Sequence, residues 1–365
     1  MEKARQRQLL EQPKQLLSHL GNQLSSRLVR LGRPAASSPA ETSRGATLVL
    51  IDVQKDFHPG GTLAIPTANE DAHRISEFIK AHGSELDRIV CTLDSHHKLH
   101  VAHPCVWRDA EGNRPEPFTQ ITHEDIKEGK WKPRETLRVY PDDFDQNIFK
   151  GSADLLDEKG QLDVPTYVLE YTRRLETKGR FHLTIWPEHC LLGTPGHTMV
   201  DEVRAALDQW SDKTGSSVDF VFKGSNNLTE MYSAMEAEVP INKATTMNAG
   251  FQRMLQQSTK LIVCGQAKSH CVNYTLRDIL THWPKDNADI YLLTDCTSVV
   301  PTFDEAGDKL EQDMKEAGVT VCTSDQVFAD NGEETEEKEE KEKKDEEKND
   351  GADDKPEENK PEGDQ

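Results

Sequence analysis

The sequence lacks any apolar run near the ~20 residues that a membrane-spanning helix requires. It also lacks a CxxC pair, so its seven cysteines do not fit a zinc ribbon or a thioredoxin-like redox motif. The seven are an odd, scattered set, and four stand in or beside apolar runs: Cys91, Cys264, Cys296 and Cys322. We therefore expect no membrane span, and buried free thiols in a reducing compartment.

Positive charge is scarce, because 65 acidic residues outweigh 44 basic ones and give a net charge of -21. Residues 331–365 hold 17 acidic and 7 basic residues, a net of -10. Residues 1–45 hold 8 basic and 3 acidic residues, a net of +5, so the remaining body carries -16. Nucleic acid requires a basic face, so we expect no nucleic-acid partner.

The two ends differ from the body in composition. Residues 1–45 are rich in Leu, Arg and Gln, then in Ser, Pro and Ala. Two interpretations stay open: a mitochondrial transit segment, and the favoured one, a partly helical or disordered extension. Residues 331–365 are rich in Glu, Lys and Asp, which predicts a disordered acidic tail. We expect a cytoplasmic protein, with a mitochondrial location as the alternative.

Between the ends, short apolar runs alternate with amphipathic stretches. Strands are predicted at residues 47–53, 88–93, 218–222, 260–264, 290–294 and 319–322, and helices at 69–82, 198–213, 248–257, 270–282 and 304–317. This alternation predicts one α/β domain over residues 46–330, with a parallel sheet covered by helices on both faces. Residues 109–181 do not follow this alternation of strands and helices, and they contain one further predicted helix at 164–177. We interpret them as an insertion packed at the carboxyl edge of the sheet.

Three polar residues follow apolar strands and suggest nucleophilic hydrolysis. Cys271 begins a predicted helix after the turn 265–270, where the helix dipole should lower the thiol pKa and backbone N–H groups could hold an oxyanion. Asp52 and Lys223 end other strands, and carboxyl ends of parallel strands share one edge. The sequence Phe-Lys-Gly-Ser occurs at both 149–152 and 222–225, and we favour Lys223 because a β-rich run precedes it. A buried thiol, a turn-forming carboxylate and a solvated lysine are the structural alternatives.

A second group has the residue types of a metal site. Asp94 and His96, two apart on extended chain, offer an oxygen and an imidazole nitrogen to a divalent ion such as Zn²⁺. His189 is the candidate third ligand. We interpret His97, His100 and His103 as bystanders, with His100 as the candidate for a fourth or outer-shell group. A polar His-rich loop is the alternative.

Together these residues resemble the nicotinamidases of the isochorismatase-like cysteine hydrolase superfamily. The matching motifs, in order over roughly residues 47–328, are Ile51–Phe57, Asp94-Ser95-His96, Trp186–Cys190, Lys223 with Tyr232-Ser233-Ala234, and the turn into Cys271. Any one of these motifs is weak, whereas five in the same order are specific. The segment 109–181 lies outside the resemblance.

The resemblance implies a Rossmann-like three-layer αβα fold with a six-stranded parallel sheet. The implied catalytic triad is Asp52, Lys223 and Cys271, and the implied ligands of a zinc or other divalent ion are Asp94, His96 and His189. The aromatic residues Phe57, Trp186 and Tyr232 would surround a pyridine ring. The implied oxyanion hole consists of Ala267 and Cys271, beside a cis peptide at Gln266–Ala267. The implied reaction converts nicotinamide to nicotinate and ammonia through a Cys thioester, in NAD salvage. A small-molecule amide is the implied partner, and a homo-oligomer the implied assembly.

Two features depart from the family pattern. The interval from His96 to His189 is longer than in compact members, and His103-Pro104 stands where an aromatic-containing stretch is expected. The main alternative is a related cysteine hydrolase for another carboxamide, carbamoyl or ureido substrate, and many such relatives lack the metal residues. Isochorismate hydrolysis is disfavoured because it does not use the Cys. A non-catalytic scaffold of the same fold is the second alternative.

Overall fold

The computed structural model describes residues 44–150, 155–178 and 181–329. Almost all of the predicted N-terminal extension and the whole predicted acidic tail lie outside these residues. Within them, none of the helices is both long and apolar enough to cross a membrane.

A six-stranded parallel sheet forms the centre of the protein. Its strands are β1 (Arg44–Ile51), β2 (Leu86–Asp94), β7 (Asp219–Lys223), β8 (Ser258–Gln266), β9 (Ile290–Ser298) and β10 (Thr320–Cys322). Four two-residue strands lie outside this sheet: β3 (Trp107–Arg108), β4 (Gln120–Ile121), β5 (Lys132–Pro133) and β6 (Leu183–Thr184). The strand order is β10-β9-β8-β1-β2-β7, and all five pairings are parallel. The predicted sheet is therefore confirmed.

The central strand shows why the sheet has two covered faces. The run Leu48–Ile51 is fully buried, as expected for a parallel strand that packs on both sides. Leu48 and Leu50 belong to one apolar cluster, whereas Val49 and Ile51 belong to the other. The alternation of side chains along an extended strand thus supplies both cores from one sequence.

The described residues contain seven α-helices: α1 (Ala68–His82), α2 (His123–Lys127), α3 (Val164–Lys178), α4 (Asp201–Thr214), α5 (Ala249–Gln256), α6 (Cys271–His282) and α7 (Asp304–Glu316). Helices α1 and α4 pack on one face, through residues such as Ile75 and Leu207. Helices α5, α6 and α7 pack on the other, through residues such as Phe251, Leu276 and Leu310. The result is the expected three-layer αβα arrangement.

The segment interpreted as an insertion contains α2, α3 and strands β4 and β5. In α3, the Tyr167 hydroxyl donates to the carbonyl of Leu228 at 2.7 Å, and the Tyr171 hydroxyl accepts from the Glu230 N–H at 2.9 Å. Both partners belong to the loop that follows β7. Helix α3 therefore packs beside the carboxyl end of the sheet. The predicted domain boundaries stay a prediction.

Candidate active site

The carboxyl ends of four neighbouring strands converge on one buried cluster. Asp52 follows β1, Asp94 ends β2, Lys223 ends β7, and Cys271 begins α6 after β8. All four side chains are buried. Because β8, β1, β2 and β7 are adjacent in the sheet, residues distant in sequence meet at its carboxyl edge.

Lys223 lies at the centre of this cluster. Its Nζ is 2.8 Å from Asp52 Oδ2, 3.0 Å from Asp94 Oδ1 and 3.4 Å from the Cys271 Sγ. The Thr92 hydroxyl donates to the other oxygen of Asp52. A thiol, a carboxylate and an ammonium thus lie within contact distance of one another, which is the arrangement needed to activate a nucleophile.

The backbone at Asp52 has an uncommon conformation. Its φ of 46° lies in the left-handed region, which Asp and Asn adopt more readily than most residues. The Asp52 N–H donates to Thr92 Oγ1 at 3.1 Å, so β2 holds both the main chain and the side chain. Such outliers persist where the surrounding structure enforces them, and they cluster at functional sites.

Burial has the largest effect on the pKa values of Cys271 and Asp52. It raises the pKa of the Cys271 thiol well above its ordinary value, with Asp52 and Asp94 adding to the rise and Lys223 opposing it. The expectation that the helix dipole would lower this pKa is therefore wrong, because desolvation disfavours the thiolate more strongly. Burial also raises the pKa of Asp52, against the opposing charge of Lys223. A thiol beside a carboxylate of raised pKa suits proton transfer between the two.

The predicted metal ligands also meet. Asp94 Oδ2 lies 3.0 Å from His96 Nε2 and 3.3 Å from His189 Nε2, and all three residues are buried. The Nδ1 atoms of His96 and His189 lie 2.9 and 2.8 Å from the carbonyls of Gly224 and Pro187. Hydrogen bonds of this kind to backbone carbonyls orient imidazoles that bind metals. The donor set therefore fits a divalent metal ion.

An aromatic pocket opens beside Cys271. Phe57, Trp186 and Tyr232 line it, and the Trp186 indole N–H donates to the Tyr232 hydroxyl at 2.9 Å. Phe57 packs against the His189 ring with centroids 5.5 Å apart. Asp94, His189 and Cys271 line the same pocket, so flat apolar surfaces adjoin both the thiol and two of the predicted metal ligands.

The turn before Cys271 has the expected backbone. The peptide bond between Gln266 and Ala267 is cis, as the resemblance implied. Gly265 has a φ of +112°, and a Cβ there would lie 2.1 Å from the carbonyl oxygen of Ile51. Glycine is therefore required for β8 to leave the sheet beside β1. Ala267 and Cys271 both border the pocket, where their N–H groups are the candidates for an oxyanion hole.

Sequence reasoning missed two polar residues that line the pocket, Glu230 and His270. Glu230 is buried, and burial raises its pKa. Its position two residues before Tyr232 was an available signal. His270 immediately precedes Cys271, and burial lowers its pKa to about 3. No pattern of apolar residues marks either one, because each is a polar side chain on irregular backbone.

Known proteins share the fold of this chain. No family model matches the chain. The chain is 22% identical to the curated nicotinamidase of Saccharomyces cerevisiae over 276 residues, which cover 75% of this chain and 98% of the yeast protein.

Two solved structures have the same architecture. One is a nicotinamidase/pyrazinamidase from Acinetobacter baumanii, with a TM-score of 0.50 and 18% identity, over 80% of this chain and 100% of that one. The other is the yeast nicotinamidase bound to the inhibitor nicotinaldehyde, with a TM-score of 0.50 and 20% identity, over 76% of this chain and 99% of that one.

The fold and the buried cluster define a three-layer αβα protein with a cysteine at the carboxyl edge of its parallel sheet. Within that class, the chain has the fold of the nicotinamidases. The resemblance that the sequence motifs indicated is thereby confirmed.

Proposed function

We propose that the protein is a metal-dependent cysteine amidohydrolase that converts nicotinamide to nicotinate and ammonia. The observation that carries this proposal is the contact of Lys223 Nζ with both Asp52 and the Cys271 thiol, at 2.8 and 3.4 Å. An aromatic pocket and a set of metal ligands adjoin that contact. The yeast and Acinetobacter proteins that share the fold are named as nicotinamidases, and the product nicotinate would feed NAD salvage.

In the proposed first half-reaction, Asp52 removes the proton from the Cys271 thiol and the sulfur attacks the carboxamide carbon. Lys223 stabilises the developing thiolate by its charge. The N–H groups of Ala267 and Cys271 hold the oxyanion. Asp52 then donates its proton to the amide nitrogen, the C–N bond breaks, and ammonia leaves a thioester on Cys271.

In the second half-reaction, Asp52 takes a proton from water, whose oxygen attacks the thioester carbon. The C–S bond breaks, the proton on Asp52 returns to the Cys271 sulfur, and the nicotinic acid that forms releases its remaining proton to solvent and leaves as nicotinate. Phe57, Trp186 and Tyr232 hold the pyridine ring in place during both steps. Asp94, His96 and His189 would hold the divalent ion, proposed to be zinc, which would supply a Lewis acid to the bound pyridine substrate.

The test is ammonia release from nicotinamide by zinc-loaded protein. We expect turnover in the wild type, and a loss of at least about 10³-fold in Cys271→Ala, which lacks the nucleophile. His189→Ala should lose turnover together with bound zinc. Cys91→Ala is the matched control, because Cys91 is a buried free thiol on the opposite face of β2.

Two outcomes would contradict the proposal. Folded, zinc-loaded wild type that releases no ammonia from nicotinamide would exclude this substrate and favour another carboxamide, carbamoyl or ureido compound. Turnover that survives in Cys271→Ala would exclude the cysteine mechanism altogether.

A further inference from the structure

A buried carboxylate of helix α1 reaches the turn that leads to the proposed nucleophile. Asp71 is 1% exposed, and its Oδ2 accepts from the side-chain amide of Gln266 at 2.8 Å. Gln266 ends β8 and immediately precedes Ala267, whose N–H is one of the two proposed for the oxyanion hole. Removing a carboxylate from water is costly unless hydrogen bonds compensate for it, so the partners of Asp71 hold it in place.

Gln266 is held at both ends of its side-chain amide. Its Nε2 donates to Asp71, and its Oε1 accepts from the Ser298 N–H at 3.4 Å. Because an amide has donors on one side and an acceptor on the other, these two contacts fix the direction in which it faces. The side chain is fully buried, so it cannot rotate without breaking buried hydrogen bonds.

Asp71 is in turn held by strand β9 and by its own helix. Its Oδ2 also accepts from the Ser298 hydroxyl at 2.5 Å, and that hydroxyl accepts from Thr67 at 2.7 Å. Its Oδ1 lies 3.1 Å from a guanidinium nitrogen of Arg74, which supplies the opposite charge. One network of hydrogen bonds therefore joins α1 to the carboxyl ends of β8 and β9.

The two peptide groups beside Ala267 are held in different ways. In the peptide after Ala267, the carbonyl accepts from the N–H groups of His270 and Val272 at 3.0 and 3.1 Å, and the Lys268 N–H donates to a carbonyl of β9 at 2.7 Å. The peptide before Ala267 carries the N–H proposed for the oxyanion hole, and it begins at Gln266. The buried amide of Gln266 is thus the side-chain contact that holds this peptide from the strand side.

We infer that Asp71 is a positioning residue, which acts through Gln266 on the Ala267 N–H of the oxyanion hole. The inference rests on the proposed function, and it gives a role to a residue of α1 outside the catalytic cluster. Oxyanion stabilisation depends on donors that already lie in place before the reaction. A displaced N–H weakens binding of the transition state more than binding of the substrate, so loss of Asp71 should lower kcat and spare KM.

The first test is steady-state hydrolysis of nicotinamide by zinc-loaded Asp71→Asn and Gln266→Leu. We expect kcat to fall at least about 10-fold and KM to change less than about 2-fold. Alkylation of Cys271 by iodoacetamide should keep its wild-type rate, because this displacement uses the thiolate but forms no oxyanion. Unchanged kcat in both variants, or equal falls in kcat and in alkylation, would overturn the inference.

Two further variants separate positioning from stability. Ile75→Val removes a buried methylene one turn along α1, so it should lower the melting temperature and leave kcat unchanged. Gln266→Glu places a second carboxylate against Asp71 and should lower kcat. Adding Asp71→Asn should then restore kcat at least about 5-fold, because an amide again faces a carboxylate. A double variant no faster than Gln266→Glu, or a slow Ile75→Val, would count against positioning.

A last measurement does not depend on the substrate. Gln266-Ala267 is the only Gln-Ala pair in the sequence, so carbonyl-¹³C glutamine and ¹⁵N alanine labels give one HNCO resonance, that of the Ala267 N–H. We expect it to shift in Asp71→Asn and in the milder Ser298→Ala, which removes one hydrogen bond to Asp71, but not in Ile75→Val.

The outcomes of this measurement separate the inference from the proposed function. An Ala267 resonance that stays in place in folded Asp71→Asn and Ser298→Ala would overturn the inference, whether or not the protein hydrolyses nicotinamide. A resonance that shifts in these variants of a protein that releases no ammonia from nicotinamide would support the positioning by Asp71 while excluding the proposed substrate.

Discussion

At the scale of single residues, one lysine contacts two buried carboxyl groups. Lys223 is fully buried between Asp52 and Asp94, whereas Lys150, in the same four-residue sequence, is exposed. The sequence favoured Lys223 because an apolar strand precedes it, and strands end where a side chain can turn into the site. The three-way contact with Asp94 was not predictable, because register between strands is a tertiary property.

Replacing Lys223 by Met should cost both stability and turnover. The change leaves two carboxylates buried without a cation, and breaking a buried pair in this way costs about 3–5 kcal/mol. We expect urea unfolding to show a loss of that size. In the control Lys98→Met, the side chain is 66% exposed beside Glu188, so the loss should stay below about 1 kcal/mol. Equal, small losses in both variants would contradict the buried arrangement.

His270 should make stability depend on pH. Its pKa is about 3 in the folded protein and 6.5 ordinarily, so the unfolded chain binds more protons between these values. Stability therefore falls as the pH is lowered from about 6.5 towards 3. Between pH 7.5 and 5.5, we expect the wild type to lose about 1 kcal/mol more than His270→Phe in denaturant unfolding. The exposed His97→Phe should behave like the wild type, and parallel pH curves for all three proteins would refute this role.

At the scale of elements, the pattern of apolar residues located all six strands of the central sheet, but it missed the ends of β8 and β9. Strand β8 was predicted at 260–264 and runs over Ser258–Gln266, and β9 was predicted at 290–294 and runs over Ile290–Ser298. The missed ends are polar. The Gln266 amide donates to Asp71 at 2.8 Å, and Thr297 donates to the carbonyl of Gly265 at 2.6 Å. Buried polar residues that satisfy one another give no apolar signal.

The turn after β7 limits the space around the proposed metal ligands. A Cβ on Gly224, whose φ is +72°, would lie 2.6 Å from Asp94 Oδ1 and 2.9 Å from His96 Cε1. We expect Gly224→Ala to weaken zinc binding at least about 10-fold, because both ligands must move. Chelator competition measures this change.

Gly215 provides the control for backbone strain. Its φ is +70°, and a Cβ there would meet no described atom within 4 Å. Gly215→Ala should cost about 1–2 kcal/mol of stability from the left-handed conformation alone, with zinc affinity unchanged. Unchanged affinity in Gly224→Ala as well would contradict the assignment of Asp94 and His96 as ligands.

At the scale of the whole molecule, the parallel sheet brings Asp52, Asp94, Lys223 and Cys271 together from distant parts of the chain. The alternation of strands and helices predicted this convergence, because carboxyl ends of parallel strands share an edge. It could not predict how deeply the site is buried, which is why the expected fall in the Cys271 pKa was wrong. Nor could it predict that the His100 ring lies against the carbonyl of Thr229, which is distant in the sequence.

The most direct test of the central claim is chemical trapping of the acyl group on Cys271. Protein turning over nicotinamide is mixed with hydroxylamine, which competes with water for a thioester, and the quenched protein is analysed by mass spectrometry. We predict nicotinohydroxamate as a product in the presence of hydroxylamine and, in a sample that is acid-quenched without hydroxylamine, a nicotinoyl adduct on the peptide that contains Cys271, with neither in Cys271→Ala. Ammonia release without hydroxamate or adduct, persisting in Cys271→Ala, would contradict the account.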